Sequence, residues 1–181
     1  MPSAARTILP KLVTALLFLG CLPPSRAEPP ERQVVFVCEH GNVKSLMAAS
    51  FFNRIAQQRG LPYRAVARGS APDSTMVPAP IVAGLREDGF DVSAFHPVAV
   101  GATDLSASRV VIAISTSLPN GAEVGGSKVE QWNDVPPASV DYGKARDSLK
   151  AHVEKLIEQL SQPPTARAPG EFLDGPHRTH S

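Results

Sequence analysis

Residues 34–45 read VVFVCEHGNVKS, and the rest of the chain is arranged around this stretch. The apolar run that ends at Cys38 is typical of a central parallel strand covered on both faces. A helical pattern of apolar residues begins at about Leu46. Strand, tight loop and helix therefore follow one another directly. Backbone N–H groups of such a loop and the helix macrodipole together make an anion-binding nest.

Cys38 lies at the mouth of this predicted nest. Positive partial charge at that place favours the thiolate, which is the nucleophilic form of cysteine. We interpret the stretch as a cradle for a tetrahedral oxyanion with a thiolate beneath it. The alternative is a buried cysteine that behaves as a small hydrophobe.

The spacing of Cys38, five residues, Lys44 and Ser45 resembles the phosphate-binding loop of the low-molecular-weight protein tyrosine phosphatases and the related thioredoxin-coupled arsenate reductases. The loop of that family is Cys-x5-Arg-Ser/Thr, so Lys44 stands where the family has arginine. The resemblance implies that Cys38 is the catalytic nucleophile and that Ser45 stabilises its thiolate. It also implies a phosphate-binding set, which is Glu39, His40, Gly41, Asn42, Val43, Lys44 and Ser45.

Two residues of the loop depart from what phosphate chemistry favours. Arginine grips two phosphate oxygens with a planar fork, whereas Lys44 supplies one compact charge on a flexible stem. Loss of one charge-assisted bond in the transition state costs about 2–3 kcal/mol, or roughly two orders of magnitude in rate. Glu39 would repel a dianion if its carboxylate faced the nest. An ordinary solvated lysine is the alternative interpretation of Lys44.

A general acid is needed to protonate the leaving oxygen of a phosphate ester. The family uses an aspartate, usually followed by proline, in the loop before the last helix. Residues 132–137, which read WNDVPP, occupy that loop here, and we predict Asp134 as the catalytic acid. Asp141 is the second candidate, although a helix N-cap suits it better.

Strand and helix patterns alternate along the chain, which predicts an α/β fold with a parallel sheet. The resemblance implies a three-layer, flavodoxin-like fold of the phosphotyrosine phosphatase I type with a four-stranded parallel sheet. Residues 90–100 are predicted to be a connection and 116–127 a loop. The predicted strands are 33–37, 63–68, 109–115 and 128–132, and the predicted helices are 46–60, 78–87 and 141–161.

Residues 1–27 are predicted to be a Sec-type signal peptide, because a basic start and a short apolar run precede the small-x-small sequence Ser-Arg-Ala. We therefore expect a periplasmic or secreted protein with no stable membrane span after cleavage. An uncleaved anchor and lipid attachment at Cys21 are the alternatives. We predict a Pro-rich lead-in at 28–32, one phosphatase-like domain at 33–160 and a disordered tail at 161–181.

Composition excludes several other functions. The net charge of +1 and the pI near 7.9 leave no basic stripe for nucleic acid. The sequence has no metal-ligand spacing, no dinucleotide fingerprint and no Walker lysine motif, so we predict no metal and no cofactor. Without the signal peptide, Cys38 is the only cysteine, which excludes an internal disulfide.

The sequence therefore predicts a phosphate-containing substrate or another oxyanion as the partner, and it leaves three functions open. The leading hypothesis is an exported cysteine-dependent phosphatase that hydrolyses a phosphotyrosine-like monoester. The second is arsenate reduction with an external thiol, because no further cysteine follows Cys38. The third is an oxyanion- or phosphopeptide-binding module without turnover, which Lys44 and Glu39 favour.

Overall fold

A four-stranded parallel sheet forms the centre of the computed structural model, which describes residues 32–119 and 128–162. Its order is β2-β1-β3-β4. The predicted α/β fold with four parallel strands is confirmed, and each strand end lies within one residue of its predicted position. The strands are β1 (Arg32–Cys38), β2 (Tyr63–Gly69), β3 (Val110–Ile114) and β4 (Lys128–Trp132).

Helices cover both faces of the sheet. The large hydrophobic cluster on one face joins the sheet to α1 (Lys44–Gln58), α2 (Ala79–Glu87) and α4 (Tyr142–Ser161). A smaller cluster on the other face joins it to α3 (Ala102–Ala107). The sequence did not predict α3, because six residues are too few to show a helical period. Helix α1 begins two residues before its predicted start.

The interior strands are apolar because neither face reaches water. All five residues of β3 are buried, as are the last five of β1. Phe36 packs edge-on against Phe52 of α1 at a centroid distance of 5.9 Å. This packing fixes the direction in which β1 and α1 enter and leave the loop between them.

The order of the strands places a crevice at one edge of the sheet. The chain runs from β1 to β2 on one side and then crosses to β3 on the other side. Ligands of open parallel sheets bind outside the carboxyl ends of the strands at such a switch point. Cys38 ends β1, and Ser115 directly follows β3.

The predicted signal peptide, residues 28–31 of the predicted lead-in and most of the predicted tail lie outside the described residues, as do residues 120–127 of the predicted loop. Arg32, the last residue of that lead-in, is instead the first residue of β1. Within 32–119 and 128–162, no helix combines the length and the apolar character needed to cross a bilayer.

Candidate active site

The β1–α1 loop (residues 39–43) is held against the end of β2 by its backbone. The Ala71 N–H donates to the Glu39 carbonyl at 2.8 Å, and the Ser70 N–H donates to the Cys38 carbonyl at 2.9 Å. Gly41 has a left-handed backbone with φ of 77°, and a Cβ there would lie 2.6 Å from the Gly69 nitrogen. Only glycine fits this position, because the backbone conformation and the close approach both exclude a side chain.

The amides of this turn are available to an anion. Among the described residues, no backbone carbonyl accepts a hydrogen bond from the N–H groups of residues 40–46. Helix α1 also begins without a capping side chain at Val43. Unpaired amides beside an uncapped helix N-terminus favour a bound anion by direct hydrogen bonds and by the helix dipole. The local backbone therefore has the character of the nest that the sequence predicts.

Cys38 is one of the residues that line an open cavity of about 440 Å³. The residue is 6% exposed and is therefore largely shielded from bulk water. Its Sγ lies 3.1 Å from the Oγ of Ser45, a fully buried residue in the first turn of α1. A hydroxyl that donates to sulfur stabilises the thiolate. This is the role that the resemblance implies for Ser45.

The Lys44 ammonium crosses the cavity and contacts two other elements. Its Nζ donates to the Ser115 hydroxyl at 2.9 Å and to the Val135 carbonyl at 2.8 Å. An ammonium has three donors, so one is left for an anion. Partial burial lowers the pKa of Lys44, and the nearby Cys38 opposes that shift.

Sequence reasoning missed Ser115. The residue has φ of 50°, the only positive φ of a non-glycine residue among the described ones. Such a backbone costs of order 1–3 kcal/mol and tends to occur at functional sites. Its place directly after a buried parallel strand is the signal that could have indicated it.

Asp134, the predicted catalytic acid, does not line the cavity. Both of its carboxylate oxygens lie 3.0 Å from Nε2 of His152 on α4, and its side chain is 71% exposed. The pKa of Asp134 is lowered most by a hydrogen bond from its own backbone N–H, and further by the bonds to His152. Asp141 is the N-cap of α4, since its Oδ1 accepts the Lys144 N–H at 2.9 Å. The structure thus brings together Cys38, Lys44 and Ser45 but not Asp134.

Glu39 and His40 lie at the rim of the cavity. The Glu39 side chain is 68% exposed, and its Oε2 lies 3.8 Å from Nε2 of His40. The other ring nitrogen, Nδ1, lies 2.9 Å from an Asp73 carboxylate oxygen. The imidazole therefore stands between two carboxylates.

Asn42 links the loop to the segment before α2. Its Nδ2 donates to the Met76 carbonyl at 2.8 Å, which ties the loop to that segment. The Oδ1 of Asn42 is buried and has no hydrogen-bond partner among the described residues.

The remaining walls of the cavity are mostly apolar, and the sequence did not predict them. One wall comes from the start of α2 and the residues before it, and the other from the β4–α4 loop (residues 133–141). These wall residues are Pro78, Pro80, Ile81, Pro137, Ala138 and Ser139.

A thiol beneath unpaired amides, with a cation and a hydroxyl from the following helix, defines a class of enzymes that use a cysteine on tetrahedral oxyanions. The model of the low molecular weight phosphotyrosine protein phosphatase family matches residues 33–164. The chain belongs to that family, which confirms the resemblance noted in the sequence.

Solved structures show the same fold. The low molecular weight protein tyrosine phosphatase from T. tengcongensis has a TM-score of 0.59 and 23% identity, over 71% of this chain and 99% of that one. YwlE from Bacillus subtilis has a TM-score of 0.62 and 21% identity, over 73% and 100%. The thioredoxin-dependent arsenate reductase from Corynebacterium glutamicum has a TM-score of 0.60 and 19% identity, over 74% of this chain.

This chain spans 63% of the length of the Corynebacterium reductase. Comparison of the sequence with curated proteins gives no match. The family and the fold together support a cysteine-based activity of the phosphatase or arsenate-reductase type.

Proposed function

We propose that the protein is an exported phosphatase that hydrolyses a phosphate monoester through a cysteinyl-phosphate intermediate. The observation that carries this proposal is the contact of 3.1 Å between the sulfur of Cys38, a residue that lines the cavity, and the Ser45 hydroxyl. Cys38 directly precedes the β1–α1 loop, and the backbone amides of residues 40–46 are unpaired among the described residues. A phosphate held by those amides would present its phosphorus to the thiolate.

The reaction follows from this arrangement in two steps. The Cys38 thiolate attacks phosphorus, the S–P bond forms, and the bond to the ester oxygen breaks on the opposite side. Water then attacks the phosphocysteine, which releases phosphate and restores the thiolate. Charge neutralisation by the amides and the free Lys44 donor, together with orientation, supplies most of the rate enhancement.

The cavity walls favour a substrate with an apolar, flat group next to the phosphate. Three prolines, an isoleucine and an alanine line the walls above the loop. The volume of about 440 Å³ suits a ligand of one aromatic ring and a phosphoryl group. A phosphotyrosine-like ester has this shape.

The proposal of export rests on residues 1–27 alone. Their basic start, apolar run of 11 residues (12–22) and small-x-small site have the form of a Sec-type signal peptide. Secretion of a fusion in which a reporter follows residue 32 would support export, and a cell-retained fusion would contradict it.

Hydrolysis of 4-nitrophenyl phosphate by the protein without residues 1–27 tests the enzyme proposal. We expect turnover by the wild type, loss of at least about 1,000-fold in Cys38→Ser, and a smaller loss in Ser45→Ala. Ser50→Ala is a matched control, since the Ser50 hydroxyl bonds only the Leu46 carbonyl of its own helix. Equal rates for the wild type and Cys38→Ser would contradict the proposal.

One observation favours a second function, a binding module that holds an oxyanion without turnover. Two of the three Lys44 donors are already used, by Ser115 and Val135. Lys44 therefore offers an anion one bond where the family arginine offers two. Calorimetric binding of inorganic phosphate by a protein that hydrolyses no ester would select this function.

A further inference from the structure

The β4–α4 loop supplies no proton donor to the cavity. Its residues at the wall are Pro137, Ala138 and Ser139. The carboxylate of Asp134 is bound to His152 and exposed on the outside. Yet an ester oxygen that leaves phosphorus without a proton is a poor leaving group, unless it is as stable as nitrophenolate.

Among the described residues that line the cavity, four carry ionisable side chains: Cys38, Glu39, His40 and Lys44. Cys38 is the nucleophile, and the Lys44 ammonium is occupied in holding Ser115, Val135 and the anion. Glu39 and His40 remain, and both lie at the rim, where the leaving group must depart.

Of these two, the His40 imidazole is the one that the structure orients. Its Nδ1 is inaccessible to solvent and has no hydrogen-bond partner among the described residues. It lies 2.9 Å from a carboxylate oxygen of Asp73, in the segment between β2 and α2, so the contact is an electrostatic one without hydrogen-bond geometry. The nearby carboxylate attracts the imidazole at its Nδ1 edge, so the ring is held with Nδ1 inward and Nε2 on its other edge. The Nε2 edge is on the open side, since the side chain is 43% exposed, and Glu39 Oε2 is 3.8 Å from it.

We propose that His40 is the proton donor and acceptor of this site and that Asp73 is its positioning residue. The inference rests on the proposed phosphatase function. In the first step the Cys38 sulfur bonds to phosphorus, the P–O bond breaks, and the Nε2 proton moves to the leaving oxygen. In the second step Nε2 takes a proton from the attacking water, the S–P bond breaks, and the thiolate and phosphate are restored.

The test is the dependence of kcat/KM on the leaving group, measured with phenyl phosphate and 2,4-dinitrophenyl phosphate. For each ester, kcat/KM reports phosphoryl transfer to Cys38 and not the later hydrolysis of the phosphocysteine. We expect His40→Gln to lose about 100-fold or more on phenyl phosphate and less than about 5-fold on the dinitrophenyl ester. Asp73→Asn should show the same pattern with smaller losses: a larger loss on phenyl phosphate than on the dinitrophenyl ester.

His96→Gln is the matched control, because His96 bonds the Thr75 carbonyl of the same segment but does not line the cavity. We expect it to change the rates on both esters by the same factor. A change in the leaving-group dependence in this variant would show that disturbance of the segment alone mimics the effect, and would overturn the assignment.

Several results would separate the two proposals. Equal losses on both esters in His40→Gln, or a steeper leaving-group dependence in Asp134→Asn alone, would overturn the role of His40 and leave the phosphatase proposal intact. A wild type that hydrolyses neither ester would contradict the phosphatase proposal itself. If His40→Gln does not fold, Asp73→Asn decides, and an unchanged leaving-group dependence in that variant contradicts the inference.

Discussion

The β1–α1 loop and the β4–α4 loop both follow the carboxyl end of a strand, but they are held in different ways. Backbone contacts with the end of β2 fix the first, and the left-handed Gly41 closes its turn. Side-chain contacts hold the second, through the Lys44 bond to the Val135 carbonyl and the bond of His152 to Asp134. The comparison shows a β1–α1 loop with unpaired amides at the cavity and a β4–α4 loop whose Asp134 carboxylate is bound to His152 instead of lining the cavity.

Among the variants that test this comparison of the two loops, the largest effect should come from a methyl group at Gly41. In Gly41→Ala the new Cβ would lie 2.6 Å from the Gly69 backbone at a positive φ, so the loop must move. We expect loss of phosphate binding, a rate at least about 100-fold lower, and about 2–3 kcal/mol less stability in urea unfolding.

Gly60→Ala is the matched control for this prediction. Gly60 also has a positive φ, of 62°, but a Cβ there meets nothing within 4 Å. We expect about 1 kcal/mol less stability and an unchanged rate. If the two variants behave alike, conformational strain accounts for both and the close contact of the β1–α1 loop with β2 is unimportant.

The next largest effect should come from Lys44, whose ammonium bonds the Val135 carbonyl of the β4–α4 loop. Lys44→Arg restores a fork that grips two oxygens, and we expect kcat/KM for 4-nitrophenyl phosphate to rise by about 10–100-fold. Lys44→Met keeps the length of the side chain and removes the charge, and we expect a loss of similar size. A lower rate in Lys44→Arg would show that the bonds to Ser115 and Val135 matter more than the grip on phosphate.

A smaller effect should appear in the pH dependence of anion binding. Burial lowers the pKa of Lys44, so its positive charge is lost at a lower pH than for a free lysine. Sulfate affinity, measured by calorimetry from neutral to alkaline pH, should therefore fall as pH rises through that pKa. In Lys44→Arg the fall should move to higher pH, because guanidinium stays charged. The same pH midpoint in both proteins would assign the fall to another group.

The smallest effect should come from Asp134. Because its carboxylate is bound to His152 outside the cavity, we expect Asp134→Asn to change kcat/KM for phenyl phosphate by less than about threefold. A loss of 100-fold would show that the β4–α4 loop rearranges during turnover and brings Asp134 to the substrate.

The sequence predicted most strands and helices and the position of the β1–α1 loop well, because local patterns of residues encode them. Apolar runs specify β1 and β3, and the spacing from Cys38 to Ser45 specifies one turn and one helix start. The helical period of α4 is equally visible, since four of its five buried residues, from Leu149 to Ile157, recur along one face.

The surroundings of the second loop depend on residues far apart in the chain. Asp134 meets His152 across 18 positions, and that histidine stacks on Trp132 at a ring distance of 4.7 Å. No spacing rule indicates such a partner. The strained backbone of Ser115 and the proline walls likewise become visible only when the strand ends are assembled, and α3 is too short to show a period.

The central claim is that the Cys38 sulfur attacks phosphorus. The most direct test is intact-protein mass spectrometry after the protein without residues 1–27 is mixed with 4-nitrophenyl phosphate and denatured rapidly at neutral pH. We predict the added mass of one phosphoryl group, located on the peptide that contains Cys38 and absent from Cys38→Ser. Hydrolysis of the ester with no phosphoryl group on Cys38, or with the group on another residue, would contradict the account.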